Sequence, residues 1–256
     1  MINIVPLFWM VVNSFKTEQE YSSGPFSFPK VLQFENYAKA WEIANMNVYF
    51  FNSLIITFFS LAVTVLLGAL AAYFLARFKF RLQKATYSLF VVGMLIPIHA
   101  TLIPIFLIMQ KIHLLDTYWS LILPYTAFHL SLTVLILEGF MRVLPKDLEE
   151  SGVMDGAGVY RIFWSIIFPI ARPALATVII LNFIYNWNEY LFALVLITST
   201  ELKTLPLGLA NFVGVETASL TLQMAALTIA LIPILIFYLL LQKQLVNGMT
   251  AGAVKG

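Results

Sequence analysis

Long uncharged runs alternate with short charged ones along this chain. Val48 to Ala76 holds no charged residue, and about 20 apolar residues suffice to cross a bilayer as a helix. The basic cluster Arg77, Lys79, Arg81 and Lys84 follows. Ala85 to Gln110 predicts a further span, interrupted by Pro97 and Pro104, and the polar link Lys111 to Asp116 leads into another from Thr117 to Leu137. After the charged segment Glu138 to Arg172, a span runs from Pro173 into Trp187. A second polar link, Thr198 to Gln223, precedes a last span at Met224 to Leu241. At the start, Ile2 to Val12 is apolar but too short to span alone at about 1.5 Å per residue. It lacks the basic n-region and small-residue cleavage site of a signal peptide and reads as most of a first transmembrane helix. Between it and Val48, Lys16 to Asn47 reads as a loop followed by an amphipathic piece, Phe34 to Ile43.

The expected fold is therefore all-α: a polytopic membrane protein with six transmembrane helices. It divides into residues 1–47 (first helix plus external segment), 48–242 (transmembrane core) and a tail at 243–256.

Composition supports that reading. The chain is 61% hydrophobic and 11% charged, and a soluble domain so apolar would lack the polar groups to cover its surface. The absence of cysteine excludes disulfides, thiolate metal sites and a thiol nucleophile. A net charge of +2 gives no reason to expect a nucleic-acid partner. Placement of charge is more informative. Alternating spans put Arg77, Lys79, Arg81, Lys84, Arg142, Lys146, Arg161, Arg172, Lys243 and Lys255 on one side, against Lys16, Lys30, Lys39, Lys111 and Lys203 on the other. The positive-inside rule places the richer side, with both termini, in the cytoplasm of a multi-pass cell-membrane protein.

That orientation makes 145–169 a cytoplasmic loop. Asp147 and Glu150 have the spacing of a capping box at a helix start, and Gly156 suits the left-handed position that ends such a helix. A second apolar helix, Val159 to Ile167, leads back to the membrane. A short surface helix between two turns is suited to a partner's groove.

The loop resembles the signature of ABC importer permeases: Glu-Ala-Ala, three residues, Gly, nine residues, Ile, any residue, Leu-Pro. Glu150-Ser151-Gly152, Gly156, Ile166 and Phe168-Pro169 keep the spacing, with Ser151, Gly152 and Phe168 as departures. Asp155-Gly156-Ala157 matches the sugar-permease form. So do Pro6-Leu7-Phe8-Trp9-Met10 with Ser14-Phe15-Lys16, Asn186-Trp187-Asn188-Glu189-Tyr190, and the tail Gly248 to Gly256. The chain thus resembles the smaller, six-span permease of a maltose-type importer. The resemblance implies a type I importer (MetI-like) core and a coupling helix at Glu149, Glu150, Ser151, Gly152, Asp155, Gly156, Ala157 and Pro169 that sits in an ATPase cleft. It implies as partners a second homologous permease, a dimeric ABC ATPase that binds ATP and Mg in place of this chain, an extracytoplasmic solute-binding protein, a sugar and membrane lipid.

Other candidates concern the solute. Aromatic faces and planar hydrogen-bonding groups hold sugars, which points to Asn182, Tyr185, Asn186 and Trp187. Glu189 is an ionisable group near a span end, with a structural role at the outer gate or subunit interface and direct sugar contact both open. The link from Leu205 to Val215, with Gly208, Asn211 and Gly214, is either a plain connector or, by resemblance, a probe of the docked binding protein. His99, His113 and His129 are scattered and predict no metal site. An ion-coupled secondary transporter would need intramembrane carboxylates or broken helices along an ion path. A nucleotide-binding phosphate loop, a zinc-protease motif and a clustered acid pair are absent. The expectation is a transport subunit, not an enzyme, for a di- or oligosaccharide or a related solute such as a glycerol phosphate.

Overall fold

The computed structural model describes residues 4–43, 45–215 and 219–253, and every regular element among them is a helix. The first apolar run forms α1 (Ile4–Ser14), whose 11 residues fall short of a bilayer. Lys16 then turns the chain back. Its fully buried ammonium donates to the carbonyls of Gly24 and Pro25 at 3.0 and 3.1 Å, which brings Phe28 down onto Trp9, ring centres 5.7 Å apart. α2 (Glu18–Ser23) starts within this turn, with a reciprocal capping box between Thr17 and Glu20. α3 (Glu35–Ile43) completes the segment.

The uncharged run that follows becomes α4 (Met46–Arg77), 32 residues and so about 48 Å long. α5 (Gln83–Leu95) ends at Pro97, which supplies no N–H and holds Ile96 extended. A 3₁₀ turn at Ile98–Thr101 leads into α6 (Leu102–Lys111), and the two halves of this span bend by 95°. α7 (Trp119–Arg142) runs as one helix. Next come α8 (Asp147–Met154), α9 (Val159–Ile162), a π-helical turn at Phe163–Ile167, and α10 (Phe168–Ile170). A 76° bend at Ala171 enters α11 (Arg172–Trp187). α12 (Leu191–Leu196), α13 (Leu205–Val215) and α14 (Leu220–Ala253) complete the described chain.

By length and composition α4, α7 and the Leu220–Gln242 part of α14 each suffice to cross a membrane, and each bent pair adds a span when taken as one unit, five in all. The expected sixth span is α1, a short apolar helix packed on α14.

Membrane helices gain nothing by exchanging lipid contact for another apolar surface, so they associate through close approach. α4 follows that rule. Its inward stripe is small or hydroxylated: Ser53, Thr57, Ser60, Thr64, Gly68 and Ala72. Its large side chains Phe51, Phe58, Phe59, Leu66 and Leu67 point outward. α4 and α7 form the most extensive helix pair. At its centre, a Cβ on Gly68 would lie 2.5 Å from Thr133 Cγ2. Towards α8 the bundle continues as a cluster of Ala72, Tyr73, Leu137, Met141, Phe163 and Ile167.

The opposite end is closed by polar clamps. Asn52 of α4 donates to the Glu201 and Lys203 carbonyls at 2.7 and 2.9 Å and accepts from Tyr118 at 2.7 Å. Asp116 accepts from the amides of Thr198 and Ser199, both at 2.9 Å, and from the Ser199 hydroxyl. Burial pushes the Asp116 carboxyl up, but the Ser199 hydroxyl and the two amides outweigh it and hold the group below its ordinary value. A depressed folded-state pKa stabilises the fold above the unfolded value and is lost as pH falls through the folded one. Asp116→Asn is therefore expected to lower the melting temperature in detergent at pH 7, with the gap to the parent closing as pH falls below about 3.9. A gap independent of pH would contradict the clamp.

Candidate docking helix and polar seam

α8 is short, and its construction differs from the sequence expectation at its start. Lys146 already has helical backbone angles, so Asp147 lies inside the helix rather than at its cap. No side chain caps this end, and the expected Asp147–Glu150 capping box does not form. Asp147, Glu149 and Glu150 instead place negative charge on the first turn, where the helix dipole favours it. The other end is as expected. Gly156 has φ +74°. Its amide bonds the Val153 carbonyl and the Ala157 amide bonds the Gly152 carbonyl, both at 2.9 Å, the paired bonds of a Schellman motif.

The two faces of α8 differ. Gly152 is buried against Ile162 and Ile166, and a Cβ there would sit 3.1 and 3.0 Å from them. Glycine in place of the family's alanine thus brings α8 closer to the segment beneath. Glu150, Ser151 and Asp155 are exposed, as is the apolar pair Val153 and Met154, at 61% and 87%. Ala157 packs against the cluster around Phe163. Pro169 is half-buried in α10, before the Ala171 bend. Glu149 turns inward: its Oε1 lies 3.0 Å from Nε of Arg77, the last residue of α4.

The solute candidates separate. Asn182 and Asn186 are both buried on α11, facing His129 and Thr133 of α7, so two pairs four residues apart meet across one seam. Asn182 donates to Thr133 Oγ1 at 2.8 Å. The Asn182 amide oxygen has no hydrogen-bond partner in the chain, and Asn186 lies beside His129 without a fully aligned hydrogen bond to it. His129 stacks on Tyr185 with ring centres 5.5 Å apart and 18° between planes, and Tyr185 is 53% exposed. Leaving an amide without a partner in an apolar medium costs roughly 1–3 kcal/mol, and the seam keeps hydrogen-bonding capacity that the chain itself does not use. From sequence, His129 is weighed only as a metal ligand and Thr133 is not singled out; their one-turn spacing, matching Asn182 and Asn186, is the available signal.

Trp187 lies outside the seam, buried, stacked on Phe183 and donating to the Ala230 carbonyl at 3.1 Å. Glu189 accepts from the amides of Phe192 and Ala193 at 2.8 and 3.3 Å and from Tyr125 at 2.5 Å, which engages its carboxylate at the start of α12. Gly208 is buried in α13 against the Tyr49 ring. The backbones of Asn211 and Gly214 continue α13; their surroundings lie outside the described residues. Among the described residues no group of histidines and acids is placed to hold a metal ion.

Residues 64–251 match the family described as binding-protein-dependent transport system inner membrane component. The chain belongs to this family. The matched stretch holds α8, the seam, the part of α4 from Thr64 onward and most of α14. This inner membrane component is 37% identical over 257 residues to the diacetylchitobiose uptake system permease protein NgcG of Streptomyces coelicolor, covering 100% of this chain and 85% of that protein. It is 35% identical over 255 residues to the melibiose/raffinose/stachyose import permease protein MelC of Bacillus subtilis, covering 99% and 92%. A solved crystal structure of a bacterial ABC transporter involved in the import of the acidic polysaccharide alginate shares the fold. Its TM-score is 0.81 at 24% identity, covering 93% of this chain and 89% of that one.

In this ABC permease, Gly208 serves the packing of α13 on α4. A Cβ there would lie 2.0 Å from Tyr49 Cδ2. Gly208→Ala is expected to destabilise the chain by about 1–3 kcal/mol, as overpacking does, and to lower its melting temperature in detergent. An unchanged melting temperature would contradict this contact.

Proposed function

We propose that this chain is one permease subunit of an ATP-driven sugar importer and that α8 is where the ATPase engages it. The observation that carries the reading is the exposed, apolar-tipped end of α8, with Met154 87% exposed, on a helix whose other face is seated in the bundle. An acidic helix with an apolar tip suits a cleft in a soluble partner. The excess of Lys and Arg on the α8 side supports placing that side, and both termini, in the cytoplasm. ATP and Mg would then bind a dimeric ATPase there, while a second permease completes the pathway and an extracytoplasmic binding protein delivers the solute. In this arrangement 48–242 is the transmembrane core, 145–169 its coupling loop, and 1–47 and 243–256 the flanking segments.

Relatives named for diacetylchitobiose and for melibiose, raffinose and stachyose support a di- or oligosaccharide as the solute. The seam supports a neutral, hydroxyl-rich guest: Asn182, Asn186 and His129 offer hydrogen bonds, Tyr185 an exposed ring, and neither Lys nor Arg lies among these four. A glycerol phosphate, which calls for fixed positive charge, fits it less well. Transport proceeds by alternating access. ATP-driven closure of the ATPase dimer moves α8 and shifts the permease pair between inward- and outward-facing states, which requires contacts that differ between them.

Reconstituted with its second permease, ATPase and binding protein, the chain is expected to accumulate a di- or oligosaccharide in proteoliposomes only with ATP and the binding protein present. Uptake without ATP, or uptake abolished by collapsing the proton gradient alone, would overturn the reading.

A further inference from the structure

Glu149 and Glu150 are neighbours with opposite fates. Glu150 is exposed on α8, whereas Glu149 reaches back to Arg77. The Arg77 side chain is 4% exposed and that of Glu149 is 18% exposed. Among the described residues Glu149 is the only acid within 4.0 Å of the Arg77 guanidinium. The contact is an ion pair without an aligned hydrogen bond, and Arg77 Nη2 has no other hydrogen-bond partner in the chain. A buried cation with a single counter-charge holds that partner strongly, because removing the acid leaves the charge stranded.

The position of the pair matters as much as its burial. α8 rests through Gly152 on Ile162 and Ile166, in the segment that continues into α11. At its start it follows α7 in the chain. α4 is not adjacent to α8 in sequence, and among the described residues the Arg77–Glu149 pair is the only polar side-chain contact between them. Arg77 also ends α4, where the helix dipole favours a cation. A displacement of α8 would reach α7 and α11 through the chain, and among the described residues this pair is its direct polar link to α4.

We propose that Arg77 and Glu149 form the joint that passes the motion of α8 to α4, making Glu149 a positioning residue within the permease and leaving the outward contacts to Glu150, Val153 and Met154. This rests on α8 being the ATPase-docking helix. The readout is solute transported per ATP hydrolysed by the complete transporter in proteoliposomes, a ratio that reduced folding or assembly alone does not change. Glu149→Gln is expected to assemble and hydrolyse ATP while the ratio falls by about tenfold, within the range of coupling between linked sites. Arg77→Gln, which leaves no stranded cation, is expected to lower the ratio likewise and replaces Glu149→Gln if that variant does not assemble. The exchanged pair Arg77→Glu with Glu149→Arg is expected to recover most of the ratio. A parental ratio in either single variant, or an exchanged pair that assembles but remains as uncoupled as the singles, would overturn the joint. Met154→Asp separates the two ideas. If it leaves the ATPase bound, the docking reading of α8 fails. If it releases the ATPase while Glu149→Gln keeps the parental ratio, the joint alone fails.

Discussion

Close approach of α4 and α7 at Gly68 and Thr133 organises the transmembrane part of this protein. In a bilayer, large apolar side chains are as well solvated by lipid as by each other, so a bundle holds where small residues let backbones meet. Gly68 supplies that contact, with Ser60, Thr64 and Ala72 on the same face of α4. Thr133, fixed by it, is then in place to accept from Asn182, which registers α11 against α7. One and two turns along α7, Leu137 and Met141 enter a cluster with Tyr73 of α4 and with Phe163 of the segment beneath α8. The polar seam and the seat of α8 thus derive from one helix–helix contact.

The two ends of the bundle are built differently. Away from α8, carboxylates and amides tie loops to helix ends: Asp116 to Thr198 and Ser199, Asn52 to Glu201 and Lys203, Glu189 to the start of α12. Satisfying several backbone groups per side chain, these clamps favour a stiff cap. At the α8 end the chain instead passes through a π-helical turn and a 76° bend. π-turns often mark functional positions in helices. A stiff cap opposite a jointed base suits a protein worked from one side.

Much of this was legible in the chain. The spans follow from run length, because hydrocarbon thickness sets a minimum that α4, α7 and α14 exceed, and the break in the third span is written in Pro97. Gly156 was readable because its turn needs positive φ. What escaped depends on contacts between distant residues. Whether Asp147 caps α8 hinges on the backbone of Lys146, which is already helical. The inward turn of Glu149 hinges on Arg77, and the burial of Gly208 on Tyr49. His129 looked isolated until α11 placed Asn186 beside it.

The central claim, that the exposed tip of α8 enters the ATPase, can be tested on a single atom because the chain has no cysteine of its own. With Met154→Cys as its sole thiol, the permease should react quickly with a membrane-impermeant maleimide in detergent. Assembled with the ATPase, that thiol should be strongly protected. Labelling at the same rate with and without the bound ATPase would contradict the account.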